Sequence, residues 1–576
     1  MELVAPVGGR VVALEVGEGS FVQAGDTVVV LEVMKMEHPV TADAPGAVEK
    51  VHVRVGDSVE AGNALIEFST ADFAEVASPT PKASEPALLR EVEDRHLLGR
   101  DEARPDAVES RRARGKLTAR EYVGTLCHDF IEYGPLAVAA QRGRRGLDDL
   151  IRRTPADGMI GGIGRIDTGT RGDDRAVVVS YDYTVLAGTQ GFHNHRKKDR
   201  LFALAADMGL PVVLFAEGGG GRPGDVDWPG VSMLEVPAFR LFAEIPTPRI
   251  GINTGYCFAG NAALLGQCDV IVATRDSNVG MGGPAMIEGG GLGSFAPDEI
   301  GPVSDQTVNG VVDIMVEDDQ AAVEAARALV GLVRGATSPG EVADQGGLRA
   351  CVPDNRRRVY DMRQIISTLV DGGTFVELRS GCALAAITGF ARVEGRPLGI
   401  IANDPHHLAG AIDHTAAVSI ARHLRLCDSW GLPVLSLCDT PGFMVGPEAE
   451  AEGLVRSAGD LFRASAEIGV PLGTVVTRRG YGLGAMAMAG GGFGEGRFIV
   501  GWPTSEFGPM GLEGAVKLGY KRELEAIDDA GEREREVERR VEEMLAVGRG
   551  INVASHFEID DVIDPADTRR WIATCL

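Results

Sequence analysis

The sequence predicts a multidomain protein, a small β-barrel followed by two tandem α/β domains, and three observations carry that reading. The stretch before residue 70 holds two similar halves, starting at Ala5 and Ala44, each made of short β-branched runs broken by Gly-Asp or Ala-Gly turns. Residues 70 to 87 lose all periodicity and are rich in Ala, Ser, Pro and acid. Beyond them the chain repeats itself at an offset of about 222 residues. The expected domains are therefore 1–69, a flexible linker over 70–87, then 88–345 and 346–576.

Composition narrows the classes open to such a chain. Its 576 residues suffice for several domains, and 44% hydrophobic with 24% charged residues is the balance of a soluble globular protein. A formal net charge of −26 argues against non-specific binding to nucleic acid or an anionic membrane. No apolar run is long enough to span a bilayer, and no basic-then-apolar leader opens the chain. The eight cysteines are scattered without a Cys-x-x-Cys pair, which fits reduced thiols in a cytoplasm rather than a zinc ribbon or a disulfide framework. Glycine, at 77 residues, is about twice its usual ~7% share and clusters inside apolar sequence, where tight turns and closely approached ligands are expected.

In the barrel, VLEVMKMEHPV (30–40) lies between the two halves. Lys35, flanked by Met34 and Met36, is expected at a hairpin tip, and the duplicated frame favours a modified lysine over an ordinary surface one. The linker, taken as a flexible coil, spans roughly 21–25 Å on average. Fully extended it reaches about 60 Å at ~3.3–3.6 Å per residue, a range that suits a carrier visiting two places.

From Leu88 to about Leu126 the sequence is charged and helical in pattern and includes RARGKLTAREYV (112–123), read as a solvated cationic face. The repeat follows. Leu186-Ala187-Gly188 recurs as Leu408-Ala409-Gly410 and Gly209-Leu210-Pro211-Val212 as Gly431-Leu432-Pro433-Val434, both at an offset of 222 (410 − 188). Ala243-Glu244-Ile245 recurs at 466–468 and Gly255-Tyr256 at 480–481, so the order holds while the offset drifts slowly. Each copy reads as a strand, an LAG loop, an amphipathic helix, a buried strand, a helix and a second buried strand, the alternation of a layered α/β domain. PVVLFAE and PVLSLCD lack alternation, as strands covered on both faces do. The segment 520–545 is expected as one charged helix, solvated or contacting another subunit.

Two Gly-rich turns stand out, one per copy: Glu217-Gly218-Gly219-Gly220-Gly221-Arg222, and Arg478-Arg479-Gly480-Tyr481-Gly482-Leu483-Gly484-Ala485. Such turns let backbone N–H groups face a cavity without obstruction, holding either an oxyanion or a phosphate. The phosphate-loop signature Gly-x4-Gly-Lys-Ser/Thr is absent.

These stretches together carry a resemblance. MKM in its duplicated frame resembles the biotinyl domain of biotin-dependent carboxylases, with Val33 where that family more often has Ala. RARGKLTARE, EGGGGR, FVELRSGCALAAITGFARVEGRPLGIIAND, LPVLSLCDTPGFMVG, RRGYGLGAMAMAGG and EIDDVIDPADTRRWI resemble the carboxyltransferase component of acyl-CoA carboxylases, which has two tandem crotonase-like domains. The resemblance implies biotin on Lys35. It implies oxyanion donors at Gly219 and Gly220 in the first turn, and at Leu483 and Gly484 in the second, where the family reads Tyr-Gly-Gly-Ala. Met486 falls where the family lines its acyl pocket; an apolar residue there implies simple acyl-CoAs, graded by length.

The activity implied is transfer of a carboxyl group from carboxybiotin on Lys35 to the α-carbon of an acyl-CoA. Both partners pass through oxyanionic states, so two donor sets are wanted and no side-chain base is required. His193, His195, His406, His407 and His414 are read as polar or helix-end residues rather than acid–base groups, and Arg196-Lys197-Lys198 either meets CoA phosphates or is solvated surface. No metal is expected in this chain. ATP and Mg belong to a biotin carboxylase, expected on another polypeptide, and a biotin protein ligase would attach the cofactor. A homo-oligomer is expected, a dimer of active-site-sharing chains or a hexamer. A biotin-dependent decarboxylase component and a non-catalytic carrier or scaffold are the alternatives.

Overall fold

A computed structural model describes residues 1–69, 86–222, 224–225, 227 and 234–576. The chain forms two compact units, Met1–Ala87 and Leu88–Leu576. Most of the expected linker, 70–85, lies outside the described residues; Ala87 already opens the helix Ala87–Leu97.

The first unit is a flattened barrel of two four-stranded antiparallel sheets. One orders Glu2–Val4, Ala64–Ser69, Gly46–Val51 and Phe21–Val22; the other orders Met36–Thr41, Thr27–Val33, Gly9–Leu14 and Ser58–Val59. Residues of both sheets, among them Val11, Val29, Leu31, Leu65 and Phe68, fill the space between them.

The second unit contains a large sheet from each repeat. The first runs Ile314–Val316, Val270–Thr274, Arg249–Asn253, Val212–Phe215, Arg175–Tyr181, Met159–Arg165 and His128–Glu132. It is parallel up to Arg175–Tyr181 and antiparallel beyond it. The second runs Val376–Leu378, Ala386–Val393, Arg396–Asn403, Val434–Thr440, Leu472–Tyr481, Phe498–Gly501 and Asp561–Val562, with the same change of sense at Arg396–Asn403.

The duplication is visible at single-residue level. Leu186, Ala187 and Gly188 all have positive φ, and so do Leu408, Ala409 and Gly410, an arrangement in which two non-glycines per loop accept strain. Each loop feeds a 17-residue helix, Phe192–Met208 or His414–Trp430, and each helix ends on a left-handed glycine, Gly209 (φ 62°) or Gly431 (φ 67°). A fully buried strand follows in both, Val212–Phe215 or Val434–Thr440.

Two sequence readings change. RARGKLTAREYV and the residues just before it are anchored, not merely solvated: Arg111 is buried on Glu217, and Lys116 reaches Asp276 at 2.8 Å and Asp319 at 3.3 Å. The segment 520–545 is not one helix. It divides into Lys521–Glu525 and Ala530–Gly548, the second capped by Asp529 accepting from the Glu532 N–H, and Val537, Val541, Met544 and Leu545 give it an apolar face packed towards Tyr481. Among the described residues no helix is long and apolar enough to cross a membrane.

Candidate active site

Lys35 sits where the sequence placed it, on a two-residue hairpin. Val33 pairs with Met36 across the turn, leaving Met34 (φ 51°) and Lys35 (φ 67°) as its central residues. Positive φ at both positions is the type I′ geometry that matches strand twist and usually calls for Asn-Gly. Holding two non-glycines there costs about 1–2 kcal/mol each. Met34 is 93% exposed and Met36 67%, so the tip projects a lysine with an apolar residue on either side. Lys35 itself is exposed, as an attachment lysine must be.

The first Gly-rich turn leaves the buried strand Val212–Phe215. Gly218 has φ 158° and Gly220 φ 88°, and a Cβ on Gly218 would lie 2.2 Å from the Gly188 carbonyl oxygen, so only glycine lets these backbones meet. Buried ion pairs clamp both ends. Arg111 holds the Glu217 carboxylate bidentately, and Arg222 donates to Asp157 Oδ1 at 2.5 Å and to Thr189 Oγ1 at 3.0 Å. The Gly219 N–H donates to Ala187 O (3.1 Å) and the Gly220 N–H to Asn261 Oδ1 (3.1 Å), whereas the Gly221 N–H bonds to no described residue.

The second turn joins the strand Leu472–Tyr481 to the helix Gly482–Met488, placing Leu483 and Gly484 in the first helical turn. Their N–H groups have no i−4 carbonyl and face outward from the helix end. The Leu483 side chain is exposed, so leucine here leaves the backbone donor clear. A Cβ on Gly484 would lie 2.8 Å from Gly442 Cα and 3.2 Å from the Phe443 nitrogen. Phe443, whose N–H bonds to no described residue, therefore lies beside the Gly484 donor.

The two Gly-rich turns are not counterparts in the repeat. Gln190 N–H donates to Gly220 O and Arg222 N–H to Gln190 O; Ile412 N–H donates to Gly442 O and Met444 N–H to Ile412 O in the same pattern. Residues 218–222 thus correspond to 440–444, and, since Gly218 bridges Cys257 as Thr440 pairs with Gly480, 256–260 correspond to 479–483. Each repeat carries a pair of turns, and in the first the nitrogen of Gly260 lies 3.6 Å from where a Gly220 Cβ would be. Sequence reasoning named one member of each pair and missed Gly260 and Phe443, although the 222-residue offset carried past residue 212 would have found Phe443. Glu217 and Asp439 match too: Asp439 is buried and accepts from Tyr360 Oη (2.8 Å), Arg479 Nε (2.6 Å) and Arg478 Nη2 (3.1 Å).

Beside the second pair lies a cavity of about 1190 Å³, lined by Met486, Phe507, Leu512, Tyr520, Met544 and Val547 among others. Met486 borders it while Met488 is fully buried in the core. Among the described residues, the charged side chains flanking the first turn, Glu217 and Arg222, are engaged in buried ion pairs. His195 is buried and held neutral, its pKa pushed down to about 3 by desolvation and then by Lys198 and Arg222. His193 Nδ1 lies 2.7 Å from Val138 O, and His406 Nδ1 3.3 Å from Asp404 Oδ1. Lys197 and Lys198, read from sequence as phosphate contacts or solvated surface, are both buried; only Arg196 of that run is exposed. The helix periodicity that turns 197 and 198 inward was obscured by their charge. Among the described residues no group of three His, Cys, Asp or Glu side chains is placed to hold a metal.

Comparison with known proteins decides what this arrangement is. Residues 110–576 match the family model "Carboxyl transferase domain", and residues 1–68 match "Biotin-requiring enzyme". The chain belongs to the biotin-dependent acyl-CoA carboxyltransferases. Over 489 residues the carboxyltransferase is 32% identical to the methylmalonyl-CoA carboxyltransferase 12S subunit of Propionibacterium freudenreichii subsp. shermanii, covering 81% of this chain and 90% of that one. It is 30% identical over 508 residues to a biotin-dependent long chain acyl-coenzyme A carboxylase beta4 subunit of Mycobacterium tuberculosis, covering 84% and 92%. Among solved structures, a single-chain, multi-domain long-chain acyl-CoA carboxylase matches all of this chain with 47% identity and a TM-score of 0.83. The carboxyltransferase spans only 56% of that longer chain. The transcarboxylase 12S hexamer structure matches at 29% identity and a TM-score of 0.73, covering 85% of this chain and 94% of that one.

Proposed function

We propose that this chain moves a carboxyl group from biotin carried on its own Lys35 to the α-carbon of an acyl-CoA, with backbone donors, not side-chain acids and bases, stabilising both reacting partners. The observation that carries it is the pair of turns in each repeat: Gly219–Gly221 with Gly260, and Phe443 with Leu483–Gly484. Biotin supplies the carboxyl group and, after giving it up, a base. The chain's part is to hold two developing oxyanions. One donor of this kind contributes about 2.7–4 kcal/mol to the transition state. In the first turn the open donor is the Gly221 N–H; Gly219 and Gly220, the pair the resemblance implies, hold theirs on Ala187 O and Asn261 Oδ1 and would have to release those bonds to serve. Leu483 and Gly484 remain the pair in the second turn.

The clamps Arg111–Glu217 and Arg478/Arg479–Asp439 keep both sets rigid, so little reorganisation accompanies the reaction. Met486 and the cavity beside it, whose wall mixes Phe507, Leu512 and Met544 with Arg540, Glu543 and His556, receive the acyl group. The division into domains at 345/346 follows the repeat. The partners are a separate biotin carboxylase, which uses ATP and Mg, and a biotin protein ligase; copies of this chain complete one another's sites in a dimer or hexamer. A reducing cytoplasm suits its eight unpaired thiols. The test is ATP- and bicarbonate-dependent carboxylation of acetyl-, propionyl-, butyryl- and longer acyl-CoAs with an added biotin carboxylase. Carboxylation of none of them, with decarboxylation of the corresponding malonyl-type thioesters, would replace this reading by a decarboxylase.

A further inference from the structure

The helix Phe192–Met208 buries an amine that the fold does not need. Lys198 is fully buried, and no carboxylate among the described residues lies within ion-pair distance of it. Its Nζ donates to Tyr181 Oη at 2.8 Å and to Gln190 Oε1 at 3.0 Å. Burial pushes the amine well below the ordinary lysine range, so placing it there opposes folding. The second repeat shows what the same scaffold uses at these two places. Ile412 stands where Gln190 stands and Ile420 where Lys198 stands, both fully buried in an apolar core.

Gln190 touches both members of the first donor pair. Its N–H donates to Gly220 O (2.6 Å) and its carbonyl accepts from the Arg222 N–H (2.9 Å), fixing the Gly219–Gly221 backbone from one side. Its side-chain amide lies flat on the other turn, with Cδ, Oε1 and Nε2 each 3.3 Å from where a Gly260 Cβ would be. Lys198 fixes which way that amide faces, since its Nζ donates to Oε1. The buried Nε2 has no partner among the described residues.

We propose that Lys198 and Gln190 form a positioning couple that sets the spacing and the local field between the Gly219–Gly221 turn and Gly260. The first repeat's oxyanion site is thereby tuned differently from the second's. The inference rests on the carboxyl-transfer reading, and its test separates the two. Gln190→Ile/Lys198→Ile installs the second repeat's own residues, and Lys198→Met removes the amine alone. With the wild type transferring carboxyl groups, the double variant is expected to keep or raise the melting temperature, because apolar residues replace both members of a buried polar pair. Acyl-CoA KM should stay within about twofold while kcat falls at least about tenfold. Hydrogen exchange across residues 217–222 should rise in both variants, whatever the activity of the wild type. Unchanged kcat and unchanged exchange in the variants would overturn the proposal, and so would a loss of activity that only follows a loss of folded protein. If the double variant does not fold, Lys198→Met decides by the same split. An inactive wild type would sink the functional reading, leaving exchange to decide the positioning role.

Discussion

Lys35 and Met486 show how much a single residue carries here. The lysine was legible because MKM interrupts a duplicated strand pattern; the strain that presents it, two left-handed non-glycines, was not, since nothing in Met-Lys announces a type I′ turn. In sequence Met486 lies two residues from Met488, and both methionines suit a core position as well as a pocket wall. The structure separates the two, with Met488 in the core and Met486 on the cavity wall. Because one methylene in an apolar pocket discriminates by about 1–3 kcal/mol, preference among acyl chains should be graded. Met486→Asp is expected to shift the kcat/KM ratios among acetyl-, propionyl-, butyryl- and a longer acyl-CoA towards short chains, by about 10-fold or more between the ends of the series. Ratios that do not move would remove Met486 from the acyl pocket.

At the scale of elements, the strands and the two long helices could be read from period and repeat. Their turns could be read only in part. The glycine run at 218–221 announces itself, but its counterpart Thr440-Pro441-Gly442-Phe443 does not, because it holds a single glycine where the first repeat has four. Buried charge misled in the same way: Lys197 and Lys198 lie on the inner face of the helix Phe192–Met208, where composition alone predicts solvent. The helix His414–Trp430 carries a testable consequence of burial. His423 is fully buried against Phe390 and is held neutral, its pKa pushed down to about 3 by desolvation and then by Arg379. An unfolded histidine titrates near 6.5, so as pH falls below that value the unfolded chain takes up a proton that the folded chain refuses. The stability that neutral His423 contributes is complete above about pH 6.5. It is lost towards lower pH at up to about 1.4 kcal/mol per pH unit. His423→Leu is therefore expected to flatten the fall of melting temperature between pH 6.5 and 5; an unchanged slope would mean that His423 protonates while folded.

The whole molecule is a carrier unit followed by a duplicated transferase unit. The expectation that copies of the chain share active sites rests on two duplicated domains carrying complementary turns, the first-repeat turn of one chain facing the second-repeat turn of another. Gly219→Pro removes an N–H from the first turn, and Gly484→Pro removes one from the second. Each chain alone should be inactive, and co-expressed chains should recover partial activity in mixed oligomers. No recovery in verified mixed oligomers would place both sets within one chain.

The claim that joins these scales is that Lys35 carries the carboxyl group to the transferase sites, and one measurement addresses it directly. Labelled bicarbonate, ATP, an added biotin carboxylase and an acyl-CoA are incubated with wild-type or Lys35→Ala chain, and label in the acyl-CoA is followed beside a streptavidin blot. The account predicts label and a streptavidin signal with wild type, and neither with Lys35→Ala, at unchanged melting temperature of the transferase unit. Label reaching the acyl-CoA, or a streptavidin signal, with Lys35→Ala would contradict it.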